Sequence, residues 1–120
     1  GAGQGMRAIL TQLNKVQGVR GSMVINRDGI VVAGEFADDV DEQGIGAIAS
    51  SLLSALEGAV KRINLGHLNR FVLTGNENKA VIVDTGPALL FVLLNRDANM
   101  GLLNVEIREA AKQVVTQAKM

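Results

Sequence analysis

The sequence has no cysteine, no tryptophan and no tyrosine, and only three phenylalanines, one proline and one histidine among its 120 residues. Without cysteine the chain forms no disulfide and offers no thiolate as a nucleophile or metal ligand, which is consistent with a reducing compartment such as the cytoplasm. The scarcity of aromatic rings removes the stacking platforms that bind single-stranded nucleic acids. These absences exclude a disulfide scaffold and disfavour a nucleic-acid-binding protein.

Charge of one sign and long apolar runs are also lacking. The 12 basic and 12 acidic residues cancel, whereas nucleic-acid binding depends mainly on neutralising phosphates. The longest apolar run, Ala88–Leu94, is far shorter than the roughly 20 residues that span a bilayer. No secretory signal pattern opens the chain. We therefore expect a cytoplasmic protein with no nucleic-acid partner and no membrane span.

What the sequence does contain is aliphatic: hydrophobic residues make up 48% of the chain. A chain of this length forms one domain with its own core. The glycine-rich start, residues 1–5, is interpreted as a flexible leader or a cloning scar. Residues 6–120 are predicted to form a single domain.

Periodicity in the first half predicts a helix, a hairpin and a second helix. Apolar residues recur at helical spacing over Met6–Val16. Two β-branched runs, Ser22–Ile25 and Ile30–Ala33, flank an Asp-Gly turn, which is a strong hairpin signal. A long helix then runs from a cap at Asp41 or Asp39 to about residue 64, with a left-handed Gly66 expected at its end.

The long helix has two unusual faces. Its apolar residues fall on one broad arc: Ile45, Ile48, Ala49, Leu52, Leu53, Leu56, Ala59, Val60 and Ile63. Small residues follow a second ridge at helical spacing: Ala47, Ser51, Ser54 and Gly58. Because glycine and serine weaken a helix, a packing reason is indicated. The ridge is either a Ser-rich solvent face or, as we favour, a docking face for the same helix of a second subunit.

The second half reads as three strands and a helix. The strands are Asn69–Thr74, Ala80–Asp84 and Ala88–Leu94, and the helix spans about Gly101–Ala118. Short turns permit only antiparallel neighbours, and an entirely apolar strand needs cover on both faces. We predict an α/β (α+β) fold, a three-layer α/β/α sandwich around a five-stranded antiparallel sheet, in the order α-β-β-α-β-β-β-α. Ala88–Leu94 belongs at the centre of the sheet and Asn69–Thr74 nearer an edge.

The residues that carry chemistry are scattered. His67 has no nucleophile elbow near it and is interpreted as a residue of a helix-to-strand junction. The acidic residues 38, 39, 41 and 42 precede a helix, whose positive end favours carboxylates, and they lack the EF-hand pattern. Gly44-x-Gly46 lacks the remainder of a phosphate-binding loop. We therefore predict no catalytic residue, no metal site, no cofactor and no enzymatic activity.

Three segments carry a resemblance to a known family. The hairpin Met23–Ala33, the small-residue long helix and the strand-to-helix segment Leu89–Ala111 occur in the same order in the roadblock/dynein light-chain family. The resemblance extends over Met6–Thr116 and is closest to short bacterial and archaeal members, including the gliding-motility regulators. It implies a roadblock (profilin-like) architecture.

The resemblance also implies partners. Family members form dimers in which central helices pack together and sheets join edge to edge. On this chain, the implied dimer interface consists of Ala47, Ser51, Ser54, Gly58, Asn69, Arg70, Phe71, Val72 and Leu73. Members regulate or scaffold small Ras-like GTPases or serve as dynein light chains. We therefore expect a homodimer that binds such a GTPase, with contacts from Ser50, Glu57, Lys61 and Arg62.

Two alternatives remain open at this point. The first is a dimeric assembly scaffold or light-chain-like adaptor for a motor, filament or sensor kinase, without GTPase contact. The second is a sensor of a small ligand held in a cavity between the sheet and the helices.

Overall fold

The computed structural model describes residues 2–120 and contains three helices and five strands in the predicted order. The helices are α1 (Ala2–Leu13), α2 (Glu42–Arg62) and α3 (Met100–Ala118). The strands are β1 (Val19–Asn26), β2 (Val31–Phe36), β3 (Arg70–Thr74), β4 (Asn78–Asp84) and β5 (Ala88–Asn95). No helix within residues 2–120 is long and apolar enough to cross a membrane.

The first helix begins earlier than the sequence pattern indicates. We expected a flexible leader over residues 1–5 and a helix from Met6, but α1 starts at Ala2. Gly5 lies against the side chain of Gln117 in α3, so this glycine is a site of close helix contact. Residues 2–5 are therefore helical, which corrects the expected helix start; Gly1 lies outside the described residues.

All strand pairs are antiparallel, and the sheet order is β2-β1-β5-β4-β3. Strand β5, which contains the apolar run Ala88–Leu94, occupies the centre and β3 an edge, as predicted. Phe91 of β5 lies between Met23 of β1 and Ile82 of β4 in the register. The predicted five-stranded antiparallel fold is confirmed.

The sheet separates two apolar cores. One core joins α1 and α3 to one face of the sheet, with Leu10, Leu103 and Ile107 fully buried. The other packs α2 against the opposite face around Leu53. Side chains of a strand alternate between faces, so successive residues of β5 serve different cores. Burial of each such side chain is worth about 1.5–3 kcal/mol, which explains why Ala88–Leu94 of this strand is apolar throughout and only its exposed last residue, Asn95, is polar.

Helix α2 is closed at both ends by local side-chain and backbone geometry. The Asp41 carboxylate accepts a hydrogen bond from the Gly44 N–H at 3.0 Å, as the predicted N-cap. At the other end Asn64, with φ of 59°, is the left-handed residue that closes the helix, and Gly66, predicted to be left-handed, is so with φ of 81° but lies two residues further on. The Leu65 N–H donates to the Val60 carbonyl at 3.2 Å, as in a Schellman motif. The helix therefore ends at Arg62, before the predicted boundary.

Candidate interaction surface

Two glycines shape the start of α2: Gly46 lets the helix lie close to the β1–β2 turn, and Gly44 lets the Asp41 cap close over the first turn. A Cβ atom at Gly46 would lie 2.7 Å from the Gly29 carbonyl oxygen, and one at Gly44 would overlap the Asp41 cap. This pair, which resembles part of a phosphate loop in the sequence, thus serves helix capping and close packing. Ala49, Leu53 and Val60 continue the buried side of the helix.

The opposite side of α2, here called the α2 outer face, is open to solvent. It contains the four predicted small residues, all exposed: Ala47, Ser51, Ser54 and Gly58. A Cβ atom at Gly58 would meet no atom of the described residues within 4 Å. The side of the helix with the shortest side chains is therefore accessible to another backbone.

The apolar arc of α2 is only partly used by the core. Ile48 is 68% exposed and Ile63 is 67% exposed, although both share the arc with buried Leu53. Ala47, Ile48, Ser51 and Leu52 line an open depression on the α2 outer face. The outer face thus combines small residues with branched apolar side chains, a composition that favours contact with a protein.

Strand β3 presents an unpaired backbone edge. Within the described residues it pairs with β4 alone. The Asp84 N–H donates to the Asn69 carbonyl at 2.8 Å, and the Gly75 N–H donates to the Asn78 carbonyl at 2.9 Å. Because hydrogen-bonded and non-hydrogen-bonded positions alternate, the backbone polar groups of Arg70, Val72 and Thr74 point away from β4.

The side chains of β3 divide between the interior and the surface. Phe71 packs against the α2 core, and Arg70 donates a hydrogen bond to Asn104 of α3 at 2.5 Å. Val72 and Leu73 are 43% and 45% exposed. Of the five residues predicted at this edge, Arg70 and Phe71 therefore also anchor the strand to the rest of the domain.

The other sheet edge, β2, is contacted by Arg7 of α1 and by Asn14, the residue that follows α1. Asn14 donates to the Glu35 carbonyl at 2.9 Å, and Arg7 reaches the Gly34 carbonyl at 3.4 Å and the Glu35 carboxylate at 2.7 Å. Covering an edge with a neighbouring element blocks strand addition. The two edges of the sheet thus differ, and β3 is the more accessible one.

The four predicted partner contacts differ in exposure and in their contacts within the domain. The Ser50 hydroxyl donates to the Arg27 carbonyl at 2.8 Å, and Glu57 also turns towards Arg27, with Nη2 and Oε1 3.8 Å apart. Lys61 and Arg62 are exposed at the C-terminal end of α2. Ser50 and Glu57 are therefore engaged within the domain, whereas Lys61 and Arg62 are free to meet a partner.

A charged cluster joins α2 to the sheet. Asp84, at the end of β4, accepts a hydrogen bond from Arg27 Nη1 at 2.6 Å and from the Gly86 N–H at 2.9 Å. His67 Nε2 lies 3.4 Å from the second carboxylate oxygen of Asp84, and Glu57 completes the group. Residues far apart in the sequence, including one interpreted as a junction histidine, thus come together here.

Arg27 is the fixed positive charge of this cluster. The hydrogen bond to Asp84 raises the pKa of the Arg27 guanidinium above its ordinary value, partial burial opposes this, and the charges of Asp84 and Glu57 raise the pKa further. Arg27 therefore stays protonated at any physiological pH. It holds the β1–β2 turn against the end of β4.

A family model decides the relationship of this fold to known proteins. The Roadblock/LC7 domain model matches residues 7–95, which include both sheet edges, α2 and the C-terminal part of α1 from Arg7 onwards. The chain belongs to the Roadblock/LC7 domain family. The α2 outer face and the β3 edge both lie within the matched residues.

Relatives and solved structures agree with this assignment. The chain is 35% identical over 106 residues to the uncharacterized proteins MJ1340 and MJ0310 of Methanocaldococcus jannaschii, covering 88% of this chain and 93% of each relative. The gliding protein mglB from Thermus thermophilus superposes with a TM-score of 0.90 at 17% identity, over 99% of this chain and 92% of that one.

Two further structures support the same fold. An MglB with a tetrameric arrangement has a TM-score of 0.91 at 18% identity, over 99% of this chain and 91% of that one. Profilin IB of Acanthamoeba castellanii has a TM-score of 0.63 at 13% identity, over 93% and 98% of the two chains. The predicted profilin-like architecture of a Roadblock/LC7 domain is thereby confirmed.

Two features of the surface have no clear sequence signal. Ile48 and Ile63 follow the same helical period as the core residues, so periodicity does not separate them from the core. Glu57, His67 and Asp84 lie on a helix, a connection and a strand end, and no local motif links them. The one hint in the sequence is Asp84, an aspartate that directly follows the apolar residues of β4 and so enters the interior, where it needs a polar contact.

Proposed function

We propose that this Roadblock/LC7 domain is a non-catalytic, homodimeric, cytoplasmic regulator that binds a small Ras-like GTPase and modulates its nucleotide cycle. The observation that carries the proposal is the combination of an exposed α2 outer face with an open β3 edge. Residues 63–69 connect the two directly along the chain, so one partner can engage both.

Helix pairing across a two-fold axis accounts for the α2 outer face. In an isologous dimer the same surface of each subunit contacts its own copy. The small side chains at Ser51, Ser54 and Gly58 permit close approach of two helices, and pairing would remove Ile48 and Ile63 from water. Full burial of an isoleucine is worth about 1.5–3 kcal/mol, so these two side chains supply a driving force for association.

Edge pairing through β3 would extend the sheet into the partner. Arg70, Val72 and Thr74 offer outward N–H and C=O groups, and an antiparallel partner strand would satisfy them. The covered state of β2 makes β3 the edge that supports this arrangement.

The GTPase partner is supported by family membership and by the charge at the end of α2. Roadblock-type proteins, as the resemblance implies, regulate or scaffold small Ras-like GTPases. We propose that paired α2 helices form the platform and that Lys61 and Arg62 make its accessible contacts. Ser50 and Glu57 would act indirectly, because their polar groups face Arg27.

Dimerisation is tested by a pair of substitutions at one edge position. Val72→Pro removes an outward N–H while leaving the β4 hydrogen bonds intact, since proline is tolerated at such edge positions. Val72→Ala keeps that N–H and shortens the side chain. We expect Val72→Pro to remain folded by circular dichroism but to sediment as a monomer, and Val72→Ala to remain dimeric. Unchanged association of Val72→Pro would overturn the proposed sheet joining.

GTPase binding is tested by titrating the chain with the Ras-like GTPase encoded nearest to it, loaded with GDP or with a GTP analogue. We expect binding that depends on the nucleotide and that Arg62→Glu weakens at least tenfold. Arg108→Glu, at an exposed position of α3, is the matched charge reversal, and this variant should bind the GTPase normally. A dimer that binds neither nucleotide state would contradict the GTPase proposal and favour the scaffold alternative.

A further inference from the structure

Glu57, His67 and Asp84 bring three potential metal ligands to one point of the fold. They come from α2, from the connection after it and from the end of β4. One ligand atom of each residue lies within 4.8 Å of the others. The feature is distinct from the α2 outer face and the β3 edge and does not rest on the proposed function.

The strongest evidence that this cluster binds a ligand is the buried Asp84, one of whose carboxylate oxygens accepts no hydrogen bond. Its side chain is 1% exposed, and its Oδ1 already accepts hydrogen bonds from Arg27 and Gly86. Its Oδ2 is buried and accepts no hydrogen bond from any residue in 2–120, and the same holds for Glu57 Oε1. An unsatisfied buried polar group costs about 1–3 kcal/mol, and more when it is charged.

The distance between the histidine and the aspartate fits two ligands of one ion. His67 Nε2 and Asp84 Oδ2 are 3.4 Å apart, longer than an ordinary hydrogen bond between nitrogen and oxygen. Zinc binds nitrogen and carboxylate oxygen at about 2.0–2.2 Å in a tetrahedron. At the tetrahedral angle, two ligand atoms at these distances from one zinc ion lie roughly 3.3–3.5 Å from each other.

The local charge also leaves room for a cation. Asp84 and Glu57 carry two negative charges and Arg27 carries one positive charge, so these three side chains sum to minus one. Arg27 binds the Oδ1 atom of Asp84 and leaves Oδ2 directed at His67. A ligating carboxylate is commonly oriented in this way by a hydrogen bond to its other oxygen.

We propose that Glu57, His67 and Asp84 form a site for a divalent transition-metal ion of the zinc class, with three protein ligands and a fourth position for water. An imidazole nitrogen selects such an ion over magnesium and calcium, which prefer oxygen ligands alone. His67 is 63% exposed, so the ion would enter from solvent. Binding would fasten the exposed connection between α2 and β3 to the end of β4.

Direct metal titration of the full chain, carrying no polyhistidine tag, tests this site. Zinc chloride is added in competition with a chromogenic chelator, and cobalt chloride is used for visible absorption. We expect one zinc per chain, a rise in the unfolding temperature, and the intense absorption of tetrahedral cobalt. His67→Gln, at an exposed position that should fold normally, is expected to weaken zinc binding at least about tenfold and abolish the cobalt spectrum.

The matched control is Asp97→Asn, which removes an exposed carboxylate from the loop before α3 and should bind zinc normally. Glu57→Gln provides a second test in a partly exposed helix residue and should also weaken binding. Equal zinc affinity of His67→Gln and the original chain, or binding without a one-to-one end point, would overturn the proposal. So would an absence of zinc binding, because the cluster would then be an ion-pair network only.

Discussion

Gly46 in the first turns of α2 faces the carbonyl oxygen of Gly29 so closely that a Cβ atom at Gly46 would lie 2.7 Å from that oxygen. This contact sets how near α2 lies to the β1–β2 turn, and Ser50 and Arg27 reinforce it by a hydrogen bond of 2.8 Å. The outer face of the same helix has no such neighbour at Gly58. The two glycines therefore have opposite roles.

Alanine substitution should separate these roles. Gly46→Ala meets a backbone atom, and overpacking costs about 1–3 kcal/mol, partly offset by about 1 kcal/mol of helix propensity. We expect a net change between about zero and a loss of about 2 kcal/mol. Gly58→Ala should stabilise the folded chain by about 1 kcal/mol. Denaturant unfolding at several protein concentrations measures both, and equal effects would contradict the close approach at Gly46.

The left-handed residue after α2 makes a second stability prediction. Asn64 has a φ of 59°, which is unfavourable for a residue with an ordinary Cβ atom by about 1–2 kcal/mol. Asn64→Ala should therefore destabilise the domain by about 1 kcal/mol, whereas Asn64→Gly should be neutral or stabilising. The midpoint of thermal unfolding compares the two. A Gly variant less stable than the Ala variant would argue against this helix end.

Removing the Arg27–Asp84 contact should lower the free energy of unfolding by an amount that does not vary with pH near neutrality. Arg27→Gln removes a charge-assisted hydrogen bond to a buried carboxylate, a contribution of about 1.5–3 kcal/mol. Arg20→Gln loses an ion pair with the exposed Asp38 and a hydrogen bond to Asn78; it is the comparison and should cost less, about 1 kcal/mol. Urea unfolding of both variants provides the measurement.

The pH dependence of this effect follows from the raised pKa of Arg27. A cationic group whose pKa is raised on folding stabilises the protein below its unfolded pKa, and the contribution disappears only as the pH rises through the folded value. For arginine both values lie far above neutrality. The difference in unfolding free energy between Arg27→Gln and the original chain should thus be the same at pH 7 and pH 10. A marked decrease between them would contradict this assignment.

The α2 outer face makes a prediction about association. Arginine at Ser54 or Gly58 should prevent two helices from approaching closely, because a long charged side chain replaces a small one. We expect Gly58→Arg and Ser54→Arg to shift the sedimentation coefficient from dimer to monomer. Glu109→Arg, at an exposed position of α3, should leave the sedimentation coefficient unchanged. A dimer of undiminished affinity in both helix variants would exclude this face.

Local chemistry in the sequence determines most of the secondary structure. The Asn26 carboxamide accepts hydrogen bonds from the Asp28 and Ile30 N–H groups at 3.0 Å, and Gly29 has a φ of 90°, so the hairpin turn is encoded within a few residues. The Asp41 cap and the apolar pattern of β5 are equally local. Such features predict the order of the elements, the antiparallel sheet and the position of β5, because each depends on neighbouring residues or on period alone.

Only the tertiary structure decides which apolar residues remain outside the core and which polar residues meet. Ile48 and Leu53 share one helical arc, since periodicity reports an apolar side chain without reporting what covers it. Glu57, His67 and Asp84 converge because α2 crosses the sheet near the end of β4. The sequence, which has no cysteine and few aromatic residues, thus determines by itself that the cores on the two faces of the sheet are mainly aliphatic. The packing of α2 on the sheet, which local sequence does not specify, decides which residues form the α2 outer face and which polar side chains meet at the end of β4.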